Sequence, residues 1–183
     1  MLEQYTIVKA IQHVISCPGK SFSIRGLAAS IKISPGSARE ALGFMEKKGI
    51  VTLKIIGKTH QYRADLENPL CRQWKVLFNL DFIADSKLVD GLLEKIPSIQ
   101  TILLYGSFAK GTNDEKSDLD LLVIAHKTSK MDFGFLNKTR KEINISLLSL
   151  NEWKKKALQD RVFYENVIYD SVVLHGANRP VVL

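Results

Sequence analysis

Residues 101–123 read TILLYGSFAKGTNDEKSDLDLLV. An apolar run, Thr101 to Tyr105, ends in Gly106 and Ser107, and ten residues later Ser117-Asp118-Leu119-Asp120-Leu121-Leu122-Val123 opens a second apolar run. Successive side chains of a strand alternate between faces, so Asp118 and Asp120 fall on one face while Leu119, Leu121 and Val123 enter the core. Two neighbouring carboxylates repel unless a proton or a cation sits between them, and hard oxygen ligands suit Mg²⁺ or Mn²⁺. Upstream, Gly106 lets backbone approach a ligand closely. Ser107 can open a short helix through Lys110 whose free N–H groups favour a phosphate, with Lys110 itself in reach of that charge.

Each half of this pattern has a plain structural reading. Gly-Ser after a strand is an ordinary turn, and Asp-x-Asp is often the wet face of an edge strand. The order and spacing of the two together carry more. GSFAKGTNDEKSDLDLLV, residues 106–123, resembles the signature of the polymerase beta-like nucleotidyltransferase superfamily, in its small minimal-nucleotidyltransferase branch. The tail from Phe163 to Gly176 resembles the helix and closing strand with which such domains end. The resemblance implies an α/β (α+β) fold over residues 84–183, a small mixed sheet flanked by helices. Gly106, Ser107, Lys110 and Ser117 would then hold the phosphates of an NTP, and Asp118 and Asp120 would be the catalytic pair that ligates Mg²⁺ (or Mn²⁺). Relatives of this kind often work beside a helical partner in toxin–antitoxin pairs, which the resemblance permits here.

One departure concerns catalysis. The resemblance calls for a third carboxylate on a later strand, and the stretch that would supply it reads Glu142-Ile143-Asn144-Ile145-Ser146-Leu147-Leu148. The expected acid falls on Asn144, which cannot take a proton from a nucleophile. Glu142 shares that strand face and is the substitute if the register differs by one pair. Two readings stay open: an enzyme moving an NMP from an NTP to a hydroxyl, or a nucleotide-sensing domain with little turnover.

Charge divides the chain unevenly. Residues 1–65 hold ten Lys/Arg against four Asp/Glu, whereas the remaining residues are nearly balanced, within a total of +7 over 183 residues. Such an excess suits a polyanion, although a small basic fold can also be simply well solvated. Ile7, Ala10, Ile11, Val14 and Ile15 repeat at helical spacing before Cys17-Pro18-Gly19 breaks the helix. A second helix is expected from Ser23 to about Ile31. Ser34 reads as an N-cap with Pro35 in the first turn of a third helix, whose Ala38, Ala41, Leu42 and Met45 form one stripe. Two short strands then flank Gly57-Lys58 as a hairpin. SPGSAREALGFMEKKGIV, residues 34–51, resembles the recognition segment of winged helix-turn-helix regulators. This resemblance implies a DNA-binding domain over residues 1–65, with Ser34, Ser37, Arg39 and Lys47 toward the groove and Lys58, His60 and Arg63 on the backbone. Dimer or partner contact is the plainer alternative, and a homodimer is expected by analogy with winged-helix proteins that read twofold sites.

Asn68-Pro69 punctuates a boundary, and Leu70, Trp74, Leu77 and Phe78 predict a linking helix over 66–83 with that side covered. Leu88, Leu92 and Ile96 mark a further helix ending at Pro97. Trp74 and Trp153 read as core or interface residues, while Lys138, Arg140, Lys141 and Lys154–Lys156 read as solvated helix faces. Cys17 and Cys71 lack metal or disulfide spacing and are expected as reduced thiols. No segment is apolar enough to cross a bilayer, and the opening Met1–Gln4 has no signal-peptide character, so the chain is expected in the cytoplasm.

Overall fold

A computed structural model describes residues 5–126 and 141–182; Lys138 and Arg140 lie outside that range. The chain divides into two compact units, Met1–Asp81 and Phe82–Leu183.

The first unit is set by its helical stripes. In α1 (Thr6–Ser16), Ala10, Ile11, Val14 and Ile15 are buried, and only Ile7 of the expected stripe is exposed. After a two-residue strand, β1 (Ser21–Phe22), the Ser23 hydroxyl caps α2 (Ile24–Ile31) by accepting from the Gly26 N–H at 3.0 Å. The Ser34 hydroxyl caps α3 (Pro35–Lys47) in the same way from the Ser37 N–H, and Ala38, Ala41, Leu42 and Met45 are all buried. The hairpin follows as β2 (Val51–Ile56) and β3 (Thr59–Ala64), with Ile56 paired to Thr59 across a Gly57-Lys58 turn in which Gly57 has φ +59°. Strand order is β1-β3-β2. β1 escapes a periodicity reading because two residues show no alternation.

The helix α4 (Pro69–Asp85) corrects one expectation. Leu70 and Leu77 are exposed, and the buried face is Cys71, Lys75 and Phe78, with Trp74 partly buried against the same core. A lysine at the centre of that face hides the periodicity. It is tolerated because its ammonium donates to the Ile15 carbonyl at 2.6 Å, one of the carbonyls left open at the end of α1. Cys71 is a free thiol whose pKa burial pushes up, which keeps it unreactive.

In the second unit, α5 (Leu88–Lys95) buries Leu88 and Leu92 and leads to β4 (Ile99–Tyr105), α6 (Gly106–Lys110), β5 (Leu119–Ala125), β6 (Ile143–Leu148), α7 (Leu150–Gln159), α8 (Arg161–Asp170) and β7 (Val172–His175). The sheet order is β6-β5-β4-β7: β4 runs antiparallel to β5 and β7, and β5 runs parallel to β6. This is a small mixed sheet, and its central strands are buried on both faces; Leu103, Leu104, Leu121 and Leu122 are fully enclosed. A capping box between Ser149 and Glu152 starts α7, and the buried Trp153 rests against Tyr164 and donates from Nε1 to the Pro180 carbonyl at 2.6 Å. No described helix is long and apolar enough to cross a membrane.

Truncating Leu103 to alanine at the centre of this core is expected to cost about 2–5 kcal/mol. Ser34→Ala, which removes only a helix cap, is expected to cost about 1 kcal/mol. Urea titrations followed by far-ultraviolet circular dichroism check both values.

Candidate active site

The functional geometry of the second unit arises from strand pairing. Tyr105 at the end of β4 is the register partner of Asp120 near the start of β5, so the bend after β4 and the acids at the start of β5 meet at one end of the two central strands. Gly106 has φ +72°, and a Cβ built there would lie 2.5 Å from Asp120 Oδ2. Its backbone conformation requires glycine, and a side chain there would also displace the Asp120 carboxylate. Asp118 and Asp120 are partly exposed and share one side: the Asn144 Nδ2 amide donates to Asp118 Oδ2 at 3.4 Å and to Asp120 Oδ1 at 3.2 Å.

Asn144 is the register partner of Asp120 on the parallel strand β6. Its amide group supplies N–H donors to both carboxylates and so tempers their repulsion. Glu142 stands ahead of β6, exposed, with its backbone carbonyl accepting from the Leu119 N–H at 2.9 Å. Among the described residues no three His, Cys, Asp or Glu side chains gather as a metal cluster. The donor set at the bend is therefore two carboxylates and one amide. That set fits a hard divalent cation, because an amide turned about its terminal bond presents a carbonyl oxygen in place of its N–H groups.

The loop between α6 and β5 is internally closed. Ser117 Oγ donates to Asp114 Oδ1 and accepts from the Asp114 N–H, both at 2.9 Å, and the Lys116 N–H donates to the same carboxylate oxygen. The Ser117 hydroxyl, with the Lys116 N–H, holds the Asp114 carboxyl below the ordinary carboxylate value, so this closure is present above that value and is lost as pH falls through the lowered pKa. Ser117 thus has a structural task at the position expected to face phosphates. Lys110, likewise expected there, pairs with Asp170 at 2.7 Å, both side chains being about two-fifths exposed. Ser107 is partly exposed in the first turn of α6. Lys141 is no solvated face: its ammonium donates to three carbonyls of the loop, a role with no signature beyond the isolated charge.

On the first unit, Arg39, Lys58 and His60 line one groove of about 680 Å³ together with Ser23, Pro35 and Arg25. Arg25 was not singled out from the sequence; the signal was its place in the first turn after the Ser23 cap. Lys47 is exposed in the last turn of α3, away from the groove lining. Arg63 donates from Nε to the Pro18 carbonyl at 2.8 Å, and the Ser34 hydroxyl bonds with that of Ser37.

Residues 87–173 match the family described as polymerase beta, nucleotidyltransferase, a span from the end of α4 into β7 that contains the bend, both acids and Asn144. The second unit is thus nucleotidyltransferase-like. Among curated proteins, the protein adenylyltransferase MntA of Shewanella oneidensis is 39% identical over 44 residues, which is 24% of this chain and 32% of that protein. The match thus spans about a third of that relative's length. Among solved structures, a toxin–antitoxin complex with AMP-PNP aligns at 24% identity and a TM-score of 0.38, covering 50% of this chain and 72% of the other. A protein from Sulfolobus solfataricus described as a nucleotidyltransferase aligns at 18% identity and a TM-score of 0.36, covering 56% of this chain and 87% of the other.

Gly106→Ala is expected to destabilise the second unit by about 1–3 kcal/mol, through the strained φ and the clash with Asp120. Gly19→Ala, where a Cβ meets nothing within 4 Å, serves as the control and should leave stability nearly unchanged. Chemical denaturation of the two variants tests the difference.

Proposed function

We propose that the second unit is a Mg²⁺-dependent nucleotidyltransferase that moves an NMP from an NTP to a hydroxyl acceptor, and that the first unit is a DNA-binding winged helix to which it is tethered. The observation that carries the catalytic part is Asp120 lying beside the side-chain-free Gly106 bend, with Asp118 joined to it through the Asn144 amide. Asp118 and Asp120 would hold the cation, with Asn144 joining through its carbonyl oxygen. Mg²⁺ or Mn²⁺ supplies charge neutralisation on the triphosphate and a more acidic acceptor hydroxyl when bound. Gly106 exposes its backbone to the phosphates, and Ser107 offers a hydroxyl. Lys110 can leave Asp170 for a phosphate at small cost, because a half-exposed ion pair contributes little. The name of the relative specifies adenylyl transfer, which makes ATP the first nucleotide to try.

A second reading, a nucleotide-sensing domain with weak or no turnover, is favoured by Asn144. No carboxylate stands at the register position opposite Asp120 to receive a proton from the acceptor. Labelled NTPs with Mg²⁺ or Mn²⁺ separate the two. Transfer or pyrophosphate release that disappears in Asp118→Ala and Asp120→Ala supports the enzyme. Binding without turnover, with turnover gained in Asn144→Asp, supports the sensor.

For the first unit, the succession of three helices and a hairpin supports the winged-helix reading, and the basic groove supports DNA as its ligand. Arg25 joins Ser34, Ser37, Arg39, Lys47, Lys58, His60 and Arg63 as a contact, with Arg25, Arg39, Lys58 and His60 at its centre. A cytoplasmic setting, a homodimer and a helical toxin-type partner complete the proposal. Arg25→Ala, Arg39→Ala and Lys58→Ala should each lower the slope of log affinity against log salt by about one. Slopes unchanged in all three would count against the groove.

A further inference from the structure

Lys141 has no assigned task, and its surroundings are those of a built cation site. Its Nζ donates to the carbonyl oxygens of Glu115 at 2.8 Å, Asp114 at 3.2 Å and Ser117 at 3.3 Å, and it lies 5.6 Å from the centroid of the buried Phe108 ring in α6. An ammonium has three N–H donors, and three carbonyls converge on this one. The next residue, Glu142, gives its carbonyl to the N–H of Leu119, so the backbone that carries Lys141 is itself fastened to the start of β5. The loop thus crosses from α6 to Asp118 around a positive charge supplied by the segment that leads into β6.

We propose that Lys141 is a positioning residue: its ammonium acts as an internal cation that closes the 111–117 loop and thereby fixes Asp118 beside Asn144 and Asp120. The proposal rests on the nucleotide-binding reading for its consequence, and on loop order for its physical content. Without the ammonium, three carbonyls directed at one point have lost their shared donor and must turn to water. The loop then samples other closures and Asp118 loses its fixed place beside the Asn144 amide. Arginine offers N–H donors in a wider, planar fork and replaces the amine in part.

The test uses the full chain and three variants, Lys141→Ala, Lys141→Met and Lys141→Arg, each checked for folding by circular dichroism. Nucleotide affinity is measured with a fluorescent ATP analogue and Mn²⁺, and loop order by amide hydrogen exchange over residues 114–118. In Lys141→Ala, exchange is expected to quicken and affinity to fall, each by about tenfold, the scale of a lost set of charge-assisted hydrogen bonds. Lys141→Arg should lie between that variant and the parent. Added methylammonium, a cation with N–H donors, should restore Lys141→Ala toward the parent, whereas tetramethylammonium, which has none, should not. Unchanged exchange in folded Lys141→Ala and Lys141→Met overturns the proposal, as does equal rescue by both cations, which would mean charge screening alone. If the parent chain binds no nucleotide, the nucleotidyltransferase reading fails, and exchange with its methylammonium rescue still decides the role of Lys141.

Discussion

The placement of Asp120 beside the glycine that ends β4 is the constraint on which the bend of the second unit depends. β4 ends and β5 begins at the same end of the two central strands because Tyr105 and Asp120 are register partners. The chain must leave β4 with a positive φ and with no Cβ, since an acid occupies the space a side chain would fill. Once that turn is fixed, the acids face outward on one side, while Leu119 and Leu121 on the other side of the strand are fully buried. The burial of the central strands resists any register shift that would exchange the two faces, because a slip of one residue would drive Asp120 into the core. Packing energy far from the bend therefore keeps two like charges close together at it.

Close carboxylates need a compensating group, and the chain provides a neutral one. Asn144 is held opposite Asp120 by a parallel strand pairing and donates to both acids. An acid at that position would raise the local repulsion and make the site depend more on a bound cation; an amide lets it persist without one. The charge balance of this edge is set by the neighbouring strand and not by the acids alone.

Much of this was legible in the sequence wherever periodicity or turn chemistry was strong. The stripe of α3, the cap at Ser34, and the Gly57-Lys58 hairpin lie where pattern put them, as do the short helix after Gly106 and the strand before it. The resemblance put the expected third acid at Asn144, and the parallel pairing sets that residue opposite Asp120. What was hidden has physical reasons. Lys75 broke the apolar pattern of α4 because its ammonium is satisfied by a helix-end carbonyl, a partner sixty residues away in the chain. Lys141 read as solvent-facing because a cation bonded to backbone carbonyls leaves no complementary side chain to find. Arg63 and Ser117 also bond within the fold, to the Pro18 carbonyl and the Asp114 carboxylate, partners that only the folded chain brings together.

The hairpin of the first unit leaves β2 at the border of its sheet, with Ile55 and Ile56 about three-fifths exposed near the turn. A free strand border bearing two isoleucines invites pairing with the same border of another molecule, and lysine charge is a common deterrent. Lys54 and Lys58 flank that pair on either side. Their mutual repulsion between molecules gives the hairpin colloidal protection, so high ionic strength, which shields charge, also removes the guard against self-association of this border.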